Sequence, residues 1–125
     1  MNENVDRMFH LLVTTLMSRS PEELTRPFKV ADLHQDILPY RLYRRELGLD
    51  TNQDYELTLM SLLSGEGGYL VIDDRMADVL RRELESAEPD TGVFRQFGSS
   101  EVSIDPDALA RVAQAPRPPR VAEPA

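Results

Sequence analysis

Chemistry in this chain has few places to sit, and the first is SGEGGYLVIDD, residues 64–74, where three glycines fall within four residues. A phosphate loop works because a strand delivers glycine-rich backbone to the start of a helix, whose amides and dipole then face the anion. Here the order is reversed. A helical pattern comes first, then Gly65, Gly67 and Gly68, then a short apolar run. The loop faces the negative end of its helix, Glu66 adds a further negative charge, and no Lys-Ser or Lys-Thr pair follows. A dinucleotide fingerprint fails for the same reason of order. Gly65 is read as a helix C-cap in positive φ.

Other chemical constellations are equally incomplete. Asp50, Asn52 and Asp54 match the first three ligand positions of an EF-hand loop, but Tyr55 stands where the sharp turn needs Gly and Ser61 where a bidentate Glu should close the site. Helix capping accounts for them more simply. The two histidines, His10 and His34, have no metal-ligand spacing with Asp32 or Asp36. Ser64 and His34 could pair as nucleophile and base, but no GxSxG elbow is present. Cysteine is absent, which excludes thiolate catalysis, disulfides and cysteine-ligated zinc. No catalytic, metal or cofactor-binding residue is expected.

One basic-aromatic cluster stands out. PYRLYRREL interleaves Tyr40 and Tyr43 with Arg41, Arg44 and Arg45. Such a cluster can bind phosphate and stack on bases. It can equally be an amphipathic helix with the tyrosines inward and the arginines solvated. Near the C-terminus, PRPPR has P-x-x-P spacing suited to a polyproline groove, although a Pro- and Ala-rich tail needs no such role.

The elements that would position these residues follow from periodicity. Residues 4–19 read as a helix, with Val5, Met8, Phe9, Leu12 and Leu16 at helical spacing and Leu11, Val13 and Met17 widening the stripe. A helix apolar over most of its circumference is buried on several sides or at a subunit contact. Ser20, Pro21 and Glu23 form a capping-box start. Residues 29–48 are helical with an interruption at Pro39, which kinks one helix or opens a second that Gly48 ends. Thr51 with Asp54 starts the next helix, whose inner face is Tyr55, Leu59, Leu62 and Leu63. Asp73 or Asp74 caps a further helix striped by Met76, Val79, Leu80 and Leu84. Strands are expected at 69–72, 93–97 and 101–104, the last two as a hairpin around Gly98-Ser99-Ser100. PDALARVAQ, from Pro106, could form one short helix ahead of the proline-rich stretch.

Net charge is −8, and its distribution is uneven. Residues 26–48 carry five bases and three acids, whereas residues 49–92 carry three arginines and eleven acids. The second segment alone gives −8, a field that repels nucleic acid and attracts basic partners. The longest apolar-leaning run, Met8 to Met17, is about half of the roughly 20 residues a membrane-spanning helix needs. It also lacks the flanks of a signal peptide, so a cytoplasmic protein without membrane association is expected.

The fold class expected is an α-rich α+β protein. About five helices pack around the apolar N-terminal helix, with a small antiparallel sheet. A single globular domain over 1–105 is followed by a flexible Pro/Ala/Arg-rich tail over 106–125. The function expected is a non-catalytic protein–protein interaction module: an adaptor, a regulator or a small subunit of a larger assembly. Its partner is expected to be a protein with a basic surface, or a second copy bound through the N-terminal helix. Contact residues are Phe9, Leu12 and Leu16 on that helix, and Tyr40, Arg41, Tyr43, Arg44 and Arg45 on the basic-aromatic segment. The alternative is a small DNA-binding regulator, since strand, helix and hairpin over 69–105 faintly resemble part of a winged helix. A small hydrolase or metal enzyme is the third reading.

Overall fold

The computed structural model describes residues 3–114, without the side chains of residues 113 and 114. Helix α1 (Glu3–Arg19) buries Val5, Met8, Phe9, Leu12, Val13, Thr15 and Leu16. Met17, part of the widened stripe, is instead 53% exposed. Ser20 accepts a bond from the Glu22 amide and starts a 3₁₀ turn, Pro21–Thr25. Pro27 follows. It holds Arg26 in extended backbone (φ −101°, ψ 146°), because the proline ring disfavours helical geometry at the residue before it. That extension leads directly into strand β1 (Phe28–Lys29).

The interrupted helix is resolved into two. Helix α2 (Val30–Asp32) runs into a π-helical turn, Leu33–Ile37, in which the Leu38 amide reaches back to the Leu33 carbonyl at 2.9 Å. Pro39 then opens α3 (Tyr40–Leu47) instead of kinking a single helix. Gly48, at φ +69°, ends α3 and donates its amide to the Arg44 and Arg45 carbonyls. Thr51 caps α4 (Asn52–Leu63) by accepting from the Asp54 amide at 3.0 Å.

Helix α4, not α1, is the most enclosed element. Eight of its twelve residues are buried, against seven of seventeen in α1. Helix α4 packs against both α1 and α5 (Asp74–Glu85). Asp73 caps α5 by accepting from the Met76 amide at 3.0 Å.

The sheet differs from the expected one. Residues 93–97 are a 3₁₀ turn, Val93–Phe97, and no hairpin forms around Ser99. Phe94 and Phe97 sit three residues apart, the repeat of a 3₁₀ turn, so both rings enter the core from one side. A strand would have sent them to opposite faces. The place of the missing strand is taken by β1. Strand β3 (Glu101–Ile104) lies between β1 and β2 (Leu70–Val71), antiparallel to both. Phe28 pairs with Val102, and Leu70 with Ile104.

Helix α6 (Pro106–Gln114) follows, with Ala108 fully buried against the core, so packing continues beyond residue 105. The PRPPR stretch and the rest of 115–125 lie outside the described residues. Among the described residues, no helix is long and apolar enough to cross a membrane.

The glycine stretch is helix punctuation. The Ser64 carbonyl at the C-terminal end of α4 accepts from Arg81 Nη2 at 2.9 Å, and Gly65 adopts φ +98°. Gly67 is the strictest position. Its φ is +81°, and a Cβ placed there would meet the Tyr69 ring at 2.5 Å. Gly67→Ala is expected to destabilise by about 1–3 kcal/mol through backbone strain and the displaced ring. A urea denaturation midpoint equal to wild type would contradict this geometry.

Candidate binding surface on helix α3 and its cleft

The sequence-predicted contact residues separate into two groups. Phe9, Leu12 and Leu16 are at 0%, 0% and 1% exposure inside the chain's own core. Phe9 stacks on Tyr69 with ring centroids 4.3 Å apart, and the Tyr69 hydroxyl donates to Asp6. These three side chains present no area to a partner unless the core opens.

The second group lies on or near the surface of α3. Tyr40 and Tyr43 turn partly inward against the core. Tyr40 donates its hydroxyl to the Leu49 carbonyl at 2.9 Å, and its ring lies 5.2 Å from that of Tyr55. Arg41, Arg44 and Arg45 are exposed, and Leu42 beside them is 64% exposed. The helix therefore divides as expected, tyrosines inward and arginines outward.

Clustering on one short helix sets the three arginines apart, since Lys29, Arg75 and Arg111 also join no ion pair among the described residues. Arg19, Arg26, Arg82 and Arg95 pair with Asp36, Glu23, Asp78 and Glu56. Arg7 and Arg81 donate to the backbone carbonyls of Leu47 and Ser64. Among the described residues, Arg41, Arg44 and Arg45 join no ion pair of this kind, in a protein of net charge −8. Arg44 and Arg45 occupy the last turn, where the helix dipole favours cations. Arg41 gains nothing from that, and it stands three and four residues from the other two, a spacing at which like charges repel by a few tenths of a kcal/mol. Glu46 is the single acid on α3.

Arg41 also forms one wall of a cleft of about 360 Å³, lined as well by His34, Tyr40, Asn52, Glu56 and Arg95. The π-helical turn brings His34 to this cleft, where its ring meets Phe94 edge-on at 4.9 Å. At the cleft floor, Glu56 is the one acid of α4 inside the protein. Its Oε1 accepts from Thr91 Oγ1 at 2.8 Å and its Oε2 from Arg95 Nη2 at 2.7 Å. The Arg95 guanidinium also lies 4.8 Å from the Phe94 ring centroid. Tyr55 donates to the Leu38 carbonyl at 2.7 Å, and burial, with the Glu56 charge second, holds its hydroxyl far above the ordinary tyrosine range. Both Glu56 oxygens and both tyrosine hydroxyls are thus committed to holding the walls in place.

Sequence spacing gives His34 no serine or metal partner. The structure places it against Phe94 and the Glu56–Arg95 pair. His10, on the exposed side of α1, takes the Asp6 carbonyl through Nδ1 at 2.9 Å. Among the described residues, no three His, Asp or Glu side chains converge on one point. Asp50, Asn52 and Asp54 surround the start of α4, where the cap is the Thr51 hydroxyl accepting from the Asp54 amide and not one of their own side chains. Glu56 and Arg95 were missed because they are 39 residues apart and carry no local signal.

Burial, with the Arg95 charge second and Glu56 opposing, lowers the His34 pKa from its ordinary value of 6.5. The unfolded chain therefore takes up a proton at His34 before the folded chain does. Its contribution to stability is present above pH 6.5 and is lost as pH falls through the lower folded value. The urea midpoint of wild type should drop more than that of His34→Gln between about pH 7.5 and about pH 5. Parallel pH profiles would contradict this environment for His34.

No protein-family model, curated protein or solved structure matches this chain.

Proposed function

We propose that this protein is a non-catalytic interaction module that docks an acidic segment of a partner protein on the exposed face of α3. The observation that carries the reading is the set of three arginines free of ion pairs, Arg41, Arg44 and Arg45, flanking the exposed Leu42. A surface that keeps like charges adjacent without compensation is one that a ligand can compensate. An exposed apolar residue within it supplies the centre that an electrostatic rim surrounds.

The partner chemistry proposed follows the local charge of α3, where Arg41, Arg44 and Arg45 are exposed, and not the net charge of the chain. Several acids of residues 49–92 are already used internally. Glu56 is buried with Arg95, Asp78 pairs with Arg82, and Asp73 caps α5. Of these, only Glu56 meets a cation from outside the segment, so the segment stays strongly negative and the α3 arginines are a local exception to it. The remaining negative charge disfavours a long polyanion such as nucleic acid, which leaves a short acidic protein segment as the better fit. The DNA-binding alternative loses its hairpin, since residues 93–97 form a 3₁₀ turn, and keeps only the basic cluster of α3.

The test is a paired capture from nuclease-treated native lysate with wild type and the double variant Arg44→Glu, Arg45→Glu as baits. A stoichiometric protein held by wild type and lost by the variant supports the reading. Equal retention by both baits, or recovery only when nuclease is omitted, contradicts it.

A further inference from the structure

We infer that the cleft between the π-helical turn and α4 is a binding site for a small organic monocarboxylate, held by Arg41, Asn52 and His34. The cleft, at about 360 Å³, falls at the small end of ligand pockets. Its walls are fixed by bonds that any ligand would leave intact: Tyr40 to the Leu49 carbonyl, Tyr55 to the Leu38 carbonyl, and Glu56 to Thr91 and Arg95. Such prior fixing keeps the ordering cost of binding low.

The charge count selects the ligand. Glu56 and Arg95 cancel, at 2.7 Å from one another. His34 contributes hydrogen-bonding nitrogens and no charge while it is neutral. What remains is one uncompensated cation, Arg41, whose planar fork matches a carboxylate in geometry and in charge. A phosphate, at about −1.5 to −2 near neutral pH, would leave negative charge unmatched beside Glu56. Asn52 adds an amide able to donate to the carboxylate, and Pro39 with the Tyr40 ring gives the ligand's apolar body a wall.

This inference does not depend on the docking of an acidic segment, because Arg44 and Arg45 do not line the cleft. The two readings share only Arg41, so an occupied cleft would neutralise one of the three charges on the α3 face.

The probe is benzoate, titrated into the full chain and followed by ¹H–¹⁵N chemical shifts. Benzamide serves as the neutral isostere, and inorganic phosphate as the competing anion. The expected result is saturable shifts centred on the Asn52 and Arg41 side chains and the His34 backbone with benzoate. Benzamide and phosphate should bind at least about tenfold more weakly, and Arg41→Ala should lose about tenfold in benzoate affinity. The double variant Arg44→Glu, Arg45→Glu should bind benzoate within about threefold of wild type. Shifts scattered over the surface, equal binding of benzamide, or tighter binding of phosphate would each overturn the carboxylate site. Loss of partner capture with benzoate binding intact would instead count against the docking surface alone.

Discussion

Phe9→Ala is expected to remove roughly 3–5 kcal/mol of folding stability. The ring is fully buried and stacks on Tyr69, 4.3 Å between centroids and 13° from parallel. Truncation leaves a cavity between α1 and the chain that leads into β2. It also deprives Tyr69 of the face against which its ring lies, with the hydroxyl still held by Asp6. Domains of this size have about 5–15 kcal/mol in total, so the loss should be visible as a large fall in the urea midpoint of the isolated chain. The same substitution decides what α1 is for. A partner-facing Phe9 would weaken association and leave the free chain's stability within about 0.5 kcal/mol of wild type. A small effect on the free chain would therefore overturn the burial described for α1.

Arg44→Glu combined with Arg45→Glu should act in the opposite manner. Both side chains are exposed and make no ion pair among the described residues, so folding stability should change by less than about 1 kcal/mol. The change that does occur should be a loss, since glutamates near a helix C-terminus oppose the dipole. Affinity for the acidic partner should fall about a hundredfold, because two attractions become two repulsions at the edge of one contact. Most of the fall should come from slower association, and raising salt should narrow the gap between variant and wild type. Association kinetics of the captured partner at two ionic strengths would measure both effects. An affinity within about twofold of wild type would remove α3 from the contact.

What was legible in the sequence follows from the range of the interactions involved. Ser20, Thr51, Asp73 and Gly48 were readable because a cap is completed within about four residues. The inward tyrosines and outward arginines of α3 follow from one helical period. The sheet was not readable in full. Strand β1 is two residues long and is specified by a partner more than seventy positions away, Phe28 against Val102. Val93–Phe97 satisfied a strand pattern by composition, whereas the three-residue spacing of its phenylalanines met the tighter turn. The apolar width of α1 suggested an interface. The fold covers it with its own strand-leading segment and α4, while Met17 is left outside.

The candidate site was half legible for the same reason. Tyr40, Arg41, Tyr43, Arg44 and Arg45 are contiguous, so their cluster is visible as a string. That the three arginines lack acids, in a chain with 22 of them, is a property of where the acids fold. Glu56 turns inward to Arg95, and Asp36 turns to Arg19. Net charge by segment pointed to the acidic stretch as the contact. The fold adds a second, local feature that a segment sum hides, the exposed arginine face of α3.

The most direct test of this account is site-specific photo-crosslinking in native lysate. A photoreactive residue is placed either at Leu42, on the arginine face, or at Asp78, on the exposed side of α5 in the acidic segment. The account predicts one discrete protein adduct from position 42, abolished by Arg44→Glu with Arg45→Glu, and none of that mass from position 78. A discrete adduct from position 78 with none from position 42 would contradict it, and would return the contact to the acidic surface and a basic partner.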